Sequence, residues 1–76
     1  MKAPEYSVRI GAIQGSIWRR EHKGNVFFNT TINRSYQDEK DQWQTTDSFS
    51  TADLPVVAKI ADICLTWLVR KANEKS

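Results

Sequence analysis

Thr51-Ala-Asp-Leu-Pro-Val-Val-Ala-Lys-Ile-Ala-Asp-Ile-Cys-Leu-Thr-Trp-Leu-Val-Arg-Lys71 reads as the one long helix of this chain, and everything before it reads as strand. Stepping about 100° per residue from Val57 places Leu68, Ala61, Cys64 and Ile60 around that origin, with Val56, Ile63 and Trp67 further round one side and Leu65 on the other. Apolar surface then covers roughly 200° of the circumference, wider than the roughly 100° stripe a helix needs to lie on one sheet. Only Lys59, Asp62, Thr66 and Arg70 form a polar strip. A small sheet covers one such surface, so the pattern predicts that a second copy of the helix covers the other, with Val56, Ile60, Ile63, Cys64 and Trp67 at the dimer interface. Pro55 lacks an N–H and fits only the first turn, which places the N-cap at or very near Asp53. Arg70 and Lys71 suit the negative end of the helix dipole.

Upstream of the helix the period changes from helical to alternating. In Val26-Phe-Phe-Asn-Thr-Thr-Ile-Asn-Arg-Ser-Tyr36, Val26, Phe28, Thr30 and Ile32 face one way and Phe27, Asn29, Thr31 and Asn33 the other, with the first set the better candidate for the side under the helix. Glu21 to Asn25 is a turn in which Gly24 and Asn25 tolerate positive φ. From Val8 to Glu21 the alternation slips phase, since Val8, Ile10 and Ala12 share one parity and Ile13, Gly15 and Ile17 the other. A bulge or sharp bend near Gly11 to Gly15 accounts for the slip, leaving either one bent strand or two short ones. Gln37 to Asp41 is a charged loop, and Gln42 to Phe49 a further strand with Trp43, Thr45 and Phe49 on one parity. The expected fold is α+β: an antiparallel β-meander of three to four strands followed by one C-terminal helix, assembled as a helix-paired homodimer. The domain spans residues 7–72, between a loose lead-in at 1–6 and a frayed tail at 73–76.

A chain of 76 residues is one domain, at a size where a single core supplies only a few kcal/mol and oligomerisation is a common remedy. One cysteine and one histidine exclude an intrachain disulfide and a Cys/His metal cluster, and make a reducing, cytoplasmic setting the default. The N-terminus carries no apolar signal segment, and no apolar run reaches the roughly 18 to 20 residues that span a bilayer, so no membrane partner is expected. His22 falls in a turn and Cys64 on the buried arc of the helix, so neither is placed for nucleophilic or acid–base work. The chain reads as a protein that is not an enzyme, with no cofactor and no metal.

With eleven basic and nine acidic residues the net charge is only +2, so distribution rather than bulk charge has to identify a partner. Trp18, Arg19, Arg20, Lys23, Phe27, Asn29, Arg34, Tyr36, Lys40 and Trp43 gather on the polar and aromatic side of the strands. Unpaired nucleic acid is held by stacking bases on exposed aromatics and by cations on its phosphates, and an open antiparallel sheet offers both at strand spacing. The same residue types also serve as cross-strand packing partners, or as a hot-spot patch for another protein.

The order of elements resembles the single-stranded-DNA-binding domains of the eukaryotic transcriptional coactivator positive cofactor four and their bacterial and phage relatives. The similar residues are Ile10-Gly11, Arg20, Lys23-Gly24, Val26, Arg34 with Tyr36 and Asp38, and a Ser50-to-Pro55 helix start, together spanning about residues 8 to 70. The family's basic residue after the strand-one glycine is matched by Ala12, its aromatic before the hairpin lysine by His22, and its second-strand tryptophan by Gln37. The resemblance implies a curved meander, a helix-paired homodimer, and Arg20, Lys23 and Arg34, with Tyr36 nearby, as contacts. Trp18, Arg19, Phe27 and Trp43 join them from the strand reading. The function expected is non-sequence-specific binding of single-stranded DNA in replication, recombination or transcription; a protein-interaction module or RNA binding are the competing expectations.

Overall fold

The computed structural model describes residues 3–74. Strands β1 (Tyr6–Ile10), β2 (Ile13–His22), β3 (Asn25–Gln37) and β4 (Trp43–Thr46) form one antiparallel sheet in the order β1-β2-β3-β4, and a 3₁₀ turn (Thr51–Asp53) leads into helix α1 (Leu54–Asn73). The meander with one C-terminal helix is the expected architecture, with four strands.

The phase slip in the first segment is a chain reversal. Ile10 pairs with Ile13 across a two-residue turn, Gly11-Ala12, in which Gly11 takes φ 61. Directly opposed residues share a face of the sheet. Tyr6, Val8 and Ile10 therefore lie beside Ile17, Gly15 and Ile13 despite the change of parity. Ala12 continues the apolar alternation of β1 in sequence, and that disguises the turn.

The second reversal is tighter than expected. His22 pairs with Asn25, leaving Lys23 (φ 52) and Gly24 (φ 83) as the turn. Two consecutive positive φ values match the right-handed twist of the flanking strands. The positive φ foreseen at Asn25 thus belongs to Lys23. β4 ends at Thr46, and Phe49 lies beyond it, packed against the core instead of sharing a strand face with Trp43.

Register continues the helix-side face across β3 as Phe28, Thr30, Ile32 and Arg34. The helix lies over β1, β2 and β3 and buries Ile60 and Cys64 against Ile13 and Ile17, with Val8, Ile32, Val57 and Leu68 around them. Gly15 is required by this approach, since a Cβ there would collide with Ile60 Cγ2 and lie 3.3 Å from Cys64 Sγ. At the C-terminal half, Trp67 stacks on Tyr6 at 5.6 Å and meets Phe28 edge-on at 5.8 Å.

These contacts correct the expected dimer interface. Ile60, Cys64 and Trp67 are spent on the chain's own sheet, with Val56 partly buried beside them, because the inner half of the wide apolar arc faces β2. Ile63 is half-buried beside Tyr6 and Thr66, on the β1 side of the helix. The large apolar residues that the helix leaves exposed are Leu54, Leu65 and Val69, at 53%, 59% and 50%.

Candidate nucleic-acid interface

Among the described residues, no element covers the side of the sheet opposite the helix. Register places on it Arg9 from β1, Gln14, Ser16, Trp18 and Arg20 from β2, Phe27 to Ser35 at alternate positions of β3, and Trp43 with Thr45 from β4. Alternation sets much of the composition: Arg9, Gln14, Ser16, Trp18, Asn29, Thr31 and Asn33 each stand next to Val8, Ile13, Ile17, Phe28 or Ile32, which point to the core. No aspartate or glutamate stands on this face within the strands. Glu5, just before β1, borders it beside Trp18, Arg19 and Arg20.

Four of the expected contacts gather here. Trp18, Arg20 and Phe27 form a group at the outer part of the long β2–β3 hairpin, where Arg20 opposes Phe27 directly and its guanidinium stands 5.9 Å from the Trp18 ring. The Trp18 indole N–H donates to Thr31 Oγ1 at 3.0 Å, which fixes the ring across two strands while its face stays partly open. Trp43 stands at the opposite end of the sheet and is 69% exposed. Lys23 occupies the tip of the hairpin.

Arg19, Arg34 and Tyr36 are elsewhere. Arg19 shares the helix-side parity of Phe28 and lies 3.2 Å from Glu21 Oε2. Arg34 Nε sits 3.2 Å from Asp53 Oδ2, an ion-pair contact whose angle falls short of a hydrogen bond. Its guanidinium also lies 5.8 Å from the Tyr36 ring. Arg34 is thus a strut from β3 to the start of the helix. Its position two residues after Ile32 on the core face aims it that way.

The same aspartate closes the helix entry. Asp53 Oδ2 accepts from the Ser50 N–H and the Ser50 hydroxyl, both at 3.0 Å. These two bonds, then the Arg34 charge, hold its carboxyl below the ordinary aspartate value of 3.8. Asp38 pins the loop before Trp43 by accepting from the Gln42 N–H at 3.0 Å, the Lys40 N–H at 2.8 Å and the Gln44 side-chain amide at 3.2 Å. Those bonds, the Gln42 one foremost, also lower its pKa from 3.8. Burial raises the Cys64 thiol, keeping it protonated and unreactive.

Arg9 is the residue missed from sequence. Its guanidinium donates to Gln14 Oε1 at 3.0 Å and has no carboxylate partner among the described residues. Strict alternation between Val8 and Ile10 carried the signal, once Gly11-Ala12 is recognised as a turn. Among the described residues, no three His, Cys, Asp or Glu side chains cluster to hold a metal ion, and no helix is long and apolar enough to cross a membrane. Comparison with protein-family models, curated proteins and solved structures finds no significant match for this chain.

Proposed function

We propose that this protein binds single-stranded DNA with little sequence preference, through the open face of its sheet, as a homodimer serving replication, recombination or transcription. One observation carries the reading: three aromatics, the half-exposed Trp18 and the exposed Phe27 and Trp43, share a face with Arg9 and Arg20, and that face has no carboxylate in its strands. Bases offer their π-faces to such rings only when unpaired, and guanidinium groups add phosphate and cation–π contacts. Hydroxyl and amide side chains between the aromatics, such as Asn29, Thr31 and Asn33, accept any base edge, which favours tolerance over sequence reading. The resemblance to positive-cofactor-four domains supports the same reading through element order. Arg34, which the resemblance implies as a contact, pairs with Asp53 at the helix start, and the reading does not rest on it.

The homodimer rests on the outer helix face. Leu54, Ala58, Ala61, Leu65, Leu68 and Ala72 recur at alternating steps of four and three, the spacing of a helix-pairing seam.

Fluorescence anisotropy of a labelled oligonucleotide of about twenty nucleotides tests the function at two salt concentrations, with duplex DNA and RNA as competitors. Binding should weaken with salt at about −0.7 in log–log slope per neutralised phosphate, and duplex should fail to displace it. Arg20→Ala should flatten that slope. An absence of binding at low salt would overturn the reading and leave the exposed aromatics as a protein-docking surface.

A further inference from the structure

Two separate hollows border the open face. One, of about 420 Å³, is lined by Arg9, Ser35, Trp43, Gln44 and Thr45. The other, of about 230 Å³, is lined by Ala3, Glu5, Trp18, Arg19 and Arg20. Arg9 belongs to one edge strand and Trp43 with Thr45 to the other, so sharing a hollow means that the face curls inward there.

Trp43 in that hollow differs from the other tryptophans. Trp67 is stacked in the core and Trp18 carries Arg20 and bonds Thr31, whereas no ring or cation lies on Trp43 among the described residues. Its main chain is nevertheless held firmly, paired with Gln37 and preceded by the loop that Asp38 ties with three bonds. An exposed ring on a fixed backbone loses little freedom when a ligand stacks on it. Arg9 lines the same hollow; its guanidinium donates to Gln14 and has no carboxylate partner among the described residues, and Ser35, Gln44 and Thr45 complete the lining. A flat π-face, a cation and small hydroxyls in about 420 Å³ suit a base with its own phosphate better than an apolar side chain.

We infer that the Arg9–Trp43 hollow is a one-nucleotide subsite: the indole stacks the base, the Arg9 guanidinium pairs with the phosphate, and the Trp18–Arg20 hollow holds a second nucleotide of the same strand. The inference rests on the single-strand-binding reading and adds a length rule to it. Trp43 opposes Gln37 and Trp18 opposes Asn29, so eight residues of β3 separate the two stations. That is about 27 Å along the strand and about 10 Å across two strand spacings. A strand rising about 3.4 Å per nucleotide spans this in about eight steps, and one drawn out to twice that rise in about four. Oligonucleotides shorter than about five nucleotides then engage one station, and those of about nine or more engage both.

The test is a titration of oligothymidylates of 3, 6, 9 and 12 nucleotides against the wild-type protein, Trp43→Ala and Arg9→Gln, with a 12-nucleotide oligouridylate as the RNA arm. Both substituted side chains lie outside the core, so thermal melts of the variants should match wild type. For wild type, affinity should step up between 3 and 9 nucleotides. Trp43→Ala should remove that step and weaken the 12-mer about fivefold to a hundredfold, the range for one stacked base. Arg9→Gln should do the same more weakly and lower the salt slope. If wild type binds every length in proportion to its nucleotides, or if both variants keep the step, the subsite is overturned while single-strand binding stands. If no length binds at low salt, both fall. Equal steps for oligothymidylate and oligouridylate would define the subsite by base and phosphate alone; a step confined to RNA would overturn its assignment to DNA.

Discussion

At the scale of single residues, two glycine-like demands of the backbone are met in opposite ways. Gly15 satisfies one: without a Cβ it lets Ile60 and Cys64 descend onto β2. Gly15→Ala should destabilise the fold by about 1 to 3 kcal/mol, the usual cost of overpacking, seen as a lower denaturation midpoint with an unchanged slope. An unaltered midpoint would mean that the helix rides higher over β2. Lys23 violates the other demand, holding φ 52 where asparagine or glycine is favoured. Strain retained in a turn invites a functional reason, and a cation at the hairpin tip supplies one under the binding reading. Lys23→Asn should raise stability by about 0.5 to 1 kcal/mol while weakening DNA binding and reducing its salt slope. A gain in stability with unchanged binding would remove Lys23 from the interface.

At the scale of elements, the helix is joined to the sheet at its start by Arg34, Asp53 and Ser50 as well as by apolar packing. Arg34→Ala should therefore lower the melting temperature and leave the affinity for single-stranded DNA nearly unchanged; the reverse pattern would restore Arg34 as a contact. Asp53 and Asp38 both have folded-state pKa values below 3.8. Their contribution is fully present above that value and is lost as pH falls through the folded pKa values. Melting temperature should drop on acidification below about pH 4, and less so in Asp53→Asn; an identical acid limb in the variant would exclude Asp53 as a source. The elements themselves were largely legible in sequence. Helical period and Pro55 announced α1, and alternation announced β3 with Phe28 and Ile32 inward. What stayed hidden depends on contacts that local pattern does not carry. A 200° apolar arc does not say which half meets the sheet, so Ile60, Cys64 and Trp67 were indistinguishable from Leu54 and Leu65. Arg34 and Arg20 are the same residue type with similar neighbours, and only the helix start beneath Arg34 separates their roles. Arg9 was overlooked because the turn that sets its face resembles a continuing strand.

At the scale of the whole molecule, the question is what covers Leu54, Leu65 and Val69. The proposed occupant is a second copy, and the seam gives it an orientation. In an antiparallel pair centred on Ile63, Leu54 meets Ala72, Ala58 meets Leu68, and Ala61 meets Leu65, so every leucine faces an alanine. Large opposite small lets two helices approach closely with no void, and a two-fold axis satisfies all such layers at once. A parallel pair sets leucine on leucine and alanine on alanine, which spreads the helices at one layer and leaves a gap at the next. The seam centre lies about 100° around the helix from Ile60 and Cys64, so apart from Leu68, which also packs against the core, the residues that pair are not those that hold the sheet. Sedimentation equilibrium at about 10 to 100 μM should give twice the chain mass for wild type. Leu65→Glu should give monomer through a loss of about 3 kcal/mol or more, about a hundredfold in dimer Kd, with the sheet still folded by circular dichroism. Cys64→Arg, by contrast, places its charge in the core and should unfold the chain, which separates pairing from folding. Orientation is read by mixing Ala58→Cys with Leu68→Cys: an antiparallel pair forms the mixed disulfide, because those positions face each other across the axis. A wild-type monomer throughout that concentration range would end the proposal. A dimer in which Ala58→Cys links only to itself would keep the pairing and reverse its direction. Monomer formation by Leu65→Glu should also weaken long oligonucleotides more than short ones, because the two open faces then no longer act on one strand.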